Sequence, residues 1–332
     1  MKLLTIDGYG YNLAVDGGRL EATNGHHINR KKQTTKYRKN YLDFDKVVIS
    51  GNHGNLSVSA IRWVMKQKRD IVILDWNGRI ITSMSPVLAN RGQHKIAQYE
   101  AFNNPEKKSN IAKWIIEQKI KGSVSVLDWL SEKKGFSCDN VLSKLSQDIS
   151  KSENLTKTLR IEAGFSYHYW RALGNLFDKK WEFVSRNFGD SWSSQEADDP
   201  INAMFNYGYS ILESECWKAV NTVGLEPYIG FIHKTYTNKA PLIYDLQEPF
   251  RWLIELGVLK LILGNKIKKS DFINTDNGNV RLRPTATKML LDGIADQFSM
   301  ETKHIGIKRQ WGSMIMIKTR EMTKLFGENI TK

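Results

Sequence analysis

Over the first 84 residues the apolar positions fall in short runs of strand length joined by glycine turns, which read as β segments. The runs fall at 2–6, 11–15, 46–50, 71–74 and 79–82. Asp16-Gly17-Gly18 and Trp76-Asn77-Gly78 stand where tight hairpin turns are expected, and their glycines tolerate the positive φ such turns need. One segment interrupts these runs. Val58, Ile61, Val64 and Met65 recur at helical spacing, so a helix is expected there.

From about residue 95 the period becomes helical and stays so almost to the end. The expected helices are 95–102, 110–121, 124–134, 140–148, 155–176, 180–187, 201–223, 249–263, 286–297 and 311–325. The 201–223 helix has both ends marked, with Asp199 as N-cap, Pro200 at the first helical position and Gly224 after the last turn. Ser85-Pro86 and the polar stretch 89–94 read as a linker between the two regimes. The expected class is therefore α+β: a small β-rich domain at 1–84, a linker at 85–95 and a larger all-α domain at 96–332.

Composition changes this picture in two ways. With 41% hydrophobic and 25% charged residues the chain can bury a real core, and no run approaches the roughly 18 apolar residues of a membrane span. The longest candidate, 253–263, is interrupted by Glu255 and Lys260, and Asp7 falls where a signal peptide would keep its apolar stretch. A cytoplasmic location and no membrane partner are expected. Cys138 and Cys216 lack metal-site or disulfide spacing and read as packing thiols. The second change is the charge of +14, which attracts phosphate polyanions. Residues 1–84 hold 14 Lys and Arg against 7 acids, with Arg30, Lys31, Lys32, Lys36, Arg38 and Lys39 gathered around Tyr37 and Tyr41. Such a cluster reads either as a solvated loop or as a nucleic-acid contact.

Candidate chemistry lies in the helical part. Glu162 heads a stripe of Phe165, Tyr169, Leu173 and Leu176, and an inward carboxylate needs compensation. Alone it reads first as a buried ion pair or a first-turn acid. His233 ends the segment 224–233, Gly-Leu-Glu-Pro-Tyr-Ile-Gly-Phe-Ile-His, and alone reads first as a hydrogen-bonded histidine at a core edge. Glu248 stands three positions after Asp245, the spacing of a capping box. Pro249 speaks against that, because it suits the first residue of a helix beginning there, which leaves Glu248 free to face a ligand. Two carboxylates and an imidazole would suit Mg²⁺ or Mn²⁺.

Four segments in this order carry more weight than any one: Ile-Glu-Ala-Gly-Phe-Ser-Tyr-His-Tyr-Trp at 161–170, Asp-Asp-Pro-Ile-Asn-Ala-Met-Phe-Asn-Tyr-Gly-Tyr at 198–209, the 224–233 segment, and Tyr-Asp-Leu-Gln-Glu-Pro-Phe-Arg at 244–251. Together they resemble the CRISPR-associated spacer-acquisition integrases, most densely from about 90 to 260. The resemblance implies an N-terminal β-sandwich, a short linker and a helical catalytic lobe. It implies Glu162, His233 and Glu248 as metal ligands, Asp245 as a supporting acid, and Mg²⁺ or Mn²⁺ as the ion. Some members carry Asp where Glu248 stands.

The activity it implies is joining of protospacer DNA 3′-hydroxyl ends to the CRISPR repeat, with cleavage of branched or linear DNA in many members. Candidate DNA contacts are Arg91, Arg186, Lys234 and Arg251, each equally readable as a surface charge or salt-bridge partner, and Tyr209 and Tyr244, each equally readable as packing. The resemblance further implies a homodimer through the β-rich lobe and a small ferredoxin-like adaptation partner. Two alternatives stay open: an integrase of the same family carried by a mobile element, and a DNA-binding scaffold without catalysis. Mobile-element relatives tend to carry an additional DNA-binding domain, and seven residues follow Leu325, so the immune role is the expectation.

Overall fold

The computed structural model describes residues 1–26, 32–86, 92–135, 140–186, 197–234 and 239–327. Its N-terminal part is strand-rich: β1 (Leu3–Ile6), β2 (Tyr11–Asp16), β3 (Arg19–Thr23), β4 (Thr34–Tyr37), β5 (Lys46–Ile49), β6 (Gly54–Leu56), α1 (Val58–Lys66), β7 (Asp70–Leu74) and β8 (Ile80–Met84). One four-stranded sheet has the order β1-β5-β7-β8, the other β4-β3-β2-β6. Their buried residues, among them Ile6, Leu13, Leu20, Val47, Ile49 and Ile71, form one core with Ala60, Trp63 and Val64 of α1. β1, β5 and β7 run parallel. β5 is buried along its whole length, as an interior parallel strand should be. Its one charge, Lys46, donates from Nζ to Ser214 Oγ at 2.6 Å and stands opposite Asp70 in the register.

The short apolar runs of residues 1–84 find β1, β2, β5, β7 and β8, the helical spacing finds α1, and β3, β4 and β6 are passed over. β4 and β6 are the outer strands of their sheet and mostly exposed, so no apolar face marks them. Both expected turns are present. Gly17 and Gly18 adopt φ of 51° and 76° between β2 and β3, and Gly78 adopts 84° between β7 and β8.

The rest of the chain is mostly helical: α2 (Gly92–Asn103), α3 (Pro105–Lys134), α4 (Asn140–Asp148), α5 (Leu155–Gly174), α6 (Pro200–Val223), α7 (Pro241–Gln247), α8 (Arg251–Leu263), α9 (Pro284–Ser299) and α10 (Trp311–Lys324). Two antiparallel hairpins interrupt the helices, β9 (Phe272–Asn274) with β10 (Val280–Leu282) and β11 (Glu301–His304) with β12 (Ile307–Gln310). The chain forms two compact units that are discontinuous in sequence. One is Met1–Val87, Ser191–Ser214 and Gly257–Met300, the other Leu88–Asp190, Glu215–Leu256 and Glu301–Lys332. Among the described residues no helix is long and apolar enough to cross a membrane.

Several expected boundaries shift for physical reasons. The helices expected at 110–121 and 124–134 are one 30-residue helix, α3. Gly122 does not break it; a Cβ there would lie 2.2 Å from Cδ1 of Trp252, so the glycine lets that ring pack onto the helix. Of the 180–187 helix, the described residues contain only a 3₁₀ turn, Lys179–Trp181. Asp245 is no helix cap, because α7 runs through it, and a 3₁₀ turn at Glu248–Phe250 then leads into α8. At α6 the expected cap is present: Asp199 Oδ1 accepts from the N–H groups of Ile201 and Asn202, both at 2.8 Å. Cys216 is buried, and Cys138 lies outside the described residues.

Gly122→Ala decides between two opposed effects. In an exposed helix interior the change stabilises by about 1 kcal/mol. Here the added methyl meets a Trp252 ring already set edge-on against Trp311 at 4.9 Å. Overpacking costs about 1–3 kcal/mol, so urea titration should show net destabilisation. A raised midpoint would contradict this packing.

Candidate functional site

Helices α3 and α5, the segment before 234 and the turn into α8 wall a cavity of about 530 Å³. α3 supplies Ile116 and Lys119; α5 supplies Glu162, Ser166, Tyr167 and Trp170. Ile232, His233, Glu248 and Arg251 complete the polar and apolar lining. The expected residues Glu162, His233, Glu248 and Arg251 are thus brought together from segments far apart in sequence.

Asp245 is fully buried on α7 and organises the segment that carries His233. Its Oδ2 accepts from the backbone N–H of Phe231 at 2.5 Å and of Ile232 at 3.1 Å. Its Oδ1 accepts from His233 N–H at 3.0 Å and pairs with His233 Nδ1 at 2.7 Å. The close approach needs Gly230, where a Cβ would lie 2.8 Å from Asp245 Oδ2. With Nδ1 engaged, Nε2 is the ring nitrogen left to meet a ligand, the arrangement a carboxylate imposes on metal-binding histidines. Burial works against a charged ring, but Asp245, by hydrogen bond and charge, and Glu248 outweigh it, so the His233 pKa is raised.

Lys119 is the feature that sequence reasoning missed. Its Nζ lies 2.5 Å from Glu162 Oε1 and 2.7 Å from Glu248 Oε2, so one ammonium stands between the two carboxylates. Ser166, one turn after Glu162, donates to the same Glu162 oxygen at 2.7 Å. Arg251 Nε approaches Glu248 Oε1 at 3.4 Å. Burial disfavours charge on Lys119, yet Glu248 and Glu162 more than offset this and raise its pKa. Burial likewise opposes charge on Glu248, but Arg251, Lys119 and His233 hold its carboxyl down at about 2. A signal was present in the sequence. Lys119 lies on the stripe Ala112, Ile115, Ile116, Ser123, Val126 and Leu130, all buried, where a cation needs partners.

Two carboxylates and an imidazole oriented by a third are the donor chemistry of a hard or borderline divalent ion, and they line one cavity. As placed, no group of three His, Cys, Asp or Glu side chains among the described residues is close enough to hold an ion, and Lys119 supplies the positive charge between Glu162 and Glu248. Of the other expected contacts, Lys234 is exposed beside His233. Tyr244 sets its ring 6.0 Å from that of His233. Tyr209 does not line the cavity: it is buried on α6 and stacked on Phe205 at 5.9 Å, as a core residue would be. Arg186 is half-buried and also absent from the lining. Arg91 lies outside the described residues, as do Arg30 and Lys31 of the basic cluster.

Comparison with known proteins adds an independent line. The model of the family described as "CRISPR associated protein Cas1" matches residues 4–295. A CRISPR-associated endonuclease Cas1 of Archaeoglobus fulgidus is 30% identical over 336 aligned positions, covering 96% of this chain and 94% of the relative. Among solved structures, a casposase bound to integration product is similar with a TM-score of 0.89 and 34% identity, covering 100% of this chain and 92% of that one. A Cas1 protein from Thermotoga maritima shares the fold, with a TM-score of 0.75 at 16% identity over 100% of this chain and 99% of that one.

The depressed pKa of Glu248 has a sign that can be measured. Its stabilisation is full above the ordinary value of 4.5 and is lost as pH falls toward about 2. The difference in melting temperature between the parent and Glu248→Gln should therefore close across that window. A difference that stays constant from neutral pH to pH 2 would contradict the charged pair.

Proposed function

The chain belongs to the Cas1 family of CRISPR-associated proteins, and from that premise we propose that it is a divalent-metal-dependent DNA endonuclease and integrase that joins protospacer 3′-hydroxyl ends to the CRISPR repeat. The observation that carries this reading is the cavity where Glu162, His233 and Glu248 converge with two cations, Lys119 and Arg251. Glu162, His233 Nε2 and Glu248 are the residues that would hold Mg²⁺ or Mn²⁺. A bound ion supplies charge neutralisation at the phosphate and a lowered pKa for the attacking hydroxyl.

The chain's own groups do the rest. Asp245 keeps His233 in one tautomer and orientation through the contacts at 2.7 Å and 3.0 Å. Arg251 would meet a phosphate oxygen, and Lys234 the backbone further out. In the transesterification the 3′-oxygen forms the new P–O bond, the old P–O bond breaks, and the displaced 3′-oxygen takes the proton. No net hydrolysis is needed, so exclusion of water by the apolar walls, Ile116, Ile232 and Trp170, favours joining over cutting. Homodimerisation through residues 1–84 and a small ferredoxin-like partner belong to the same reading, and the net charge of +14 supports binding of protospacer and repeat DNA.

A second reading within the family, an integrase acting on the ends of a mobile element, draws on the likeness to the casposase. A strand-transfer assay separates the two: joining into a repeat-containing duplex in preference to unrelated targets supports the first. In that assay Glu162→Ala should lower product by at least about a thousandfold while DNA affinity changes less than about threefold, because phosphate contacts are spread over many basic residues. Full activity of Glu162→Ala would sink the site. Absence of any metal-dependent product from the parent would favour a non-catalytic scaffold.

Lys119 generates a separate expectation. Its ammonium competes with a divalent ion for Glu162 and Glu248, so Lys119→Met should tighten Mn²⁺ binding roughly tenfold in calorimetric titration, about 1.4 kcal/mol. Weaker binding would show that Lys119 supports the ion instead.

A further inference from the structure

The hairpin of β11 and β12 contains three features that work against its own stability. In register, Lys303 stands directly opposite Lys308, a like-charge cross-strand pair. Among the described residues, Lys308 has an acid close by, Glu301 at 3.1 Å, and both of those groups are largely exposed. At the tip, Ile305 and Gly306 take φ of 49° and 74°, the pair of positive values a two-residue turn requires. Asn-Gly is the favoured chemistry there, and a β-branched residue in the left-handed region is strained. Third, Ile305 is 85% exposed and Ile307 54%, so the strained side chain packs on nothing.

The hairpin nevertheless has one brace. His304 Nε2, beside the tip, meets Glu321 Oε1 of α10 at 3.0 Å, and Lys318 holds the other oxygen of the same carboxylate at 2.8 Å. A braced ribbon with an apolar tip and basic strands, Lys303, Lys308 and Arg309, has the two properties a polyanion with a stacked apolar interior would reward. Phosphates relieve the lysine repulsion, and a base step accepts the isoleucine.

We propose that this hairpin is a wing that grips duplex DNA, its lysines on phosphates and Ile305 wedged at a deformable base step, bending the duplex outside the catalytic cavity. It rests on the reading that the chain acts on DNA. Bracing by α10 means little ordering is required on binding.

The test uses the full-length chain, a fluorescently end-labelled duplex and two variants. Ile305→Asn improves the turn, so its melting temperature should equal or exceed the parent's. Its affinity should nevertheless fall roughly tenfold, the loss expected when an isoleucine is no longer buried, and the bend read by energy transfer should shrink. Lys303→Thr with Lys308→Thr should make the log–log salt slope of binding shallower by nearly two, about 0.9 per lost phosphate contact. Affinity and bend of Ile305→Asn within about twofold of the parent would overturn the wing. So would loss of self-association with DNA binding unchanged, which would make the tip a contact between copies. If the parent joins strands while both variants match it, the wing alone fails; if the parent binds no duplex at all, the reading of the catalytic site falls with it.

Discussion

One buried ammonium joins three segments that are distant in sequence. Lys119 on α3 meets Glu162 on α5 and Glu248 on the turn into α8, and without it Glu162 would keep the Ser166 hydroxyl and Glu248 the Arg251 guanidinium but no charge would stand between the two. Removing one member of such a pair is far more damaging than replacing the whole group by apolar residues, because the survivor stays buried and charged. The packing follows from this. Gly122 within α3 lets the Trp252 ring approach, on the same segment that carries Glu248 and Arg251 toward Lys119.

The second constraint is Asp245. Loops are usually where functional groups gain freedom, yet here a fully buried carboxylate fixes the backbone of residues 231–233 and one nitrogen of the His233 ring. A carboxylate that accepts several N–H bonds is well compensated even in an apolar setting. The result is a rigid histidine whose ring is nearly half exposed, at 43%, while its anchor is wholly hidden. Rigid placement of such groups beside the apolar Ile116, Ile232 and Trp170 reduces the ordering that a bound ligand would require.

The same logic of local expense and remote use separates the cavity from the β11–β12 hairpin. In the cavity, opposed charges are gathered where burial makes each matter. On the hairpin, a like-charge pair, of which Lys308 alone meets Glu301, and a strained isoleucine are displayed to solvent. Places where local preference is violated without internal gain are the ones to examine for an external partner.

Much was legible in the residues themselves. Short apolar runs in the first 84 residues marked β1, β2, β5, β7 and β8, and helical spacing marked α1, because their apolar side chains enter the shared core, while the polar outer strands β4 and β6 left no such trace. Asp199, Pro200 and Gly224 bounded α6, since caps act through neighbouring backbone groups and need no tertiary partner. The ordered motifs identified the family and named Glu162, His233, Glu248 and Asp245. They did not reveal Lys119, whose role depends on two carboxylates 43 and 129 positions away, one on another helix and one on a turn. Nor could they tell that Gly122 is a packing position, that Asp245 lies inside a helix, or that Tyr209 belongs to the core. Periodicity and motifs report what a residue asks of its nearest neighbours along the chain. Which distant group answers, and whether a buried charge finds its counter-charge, is decided only when the helices pack.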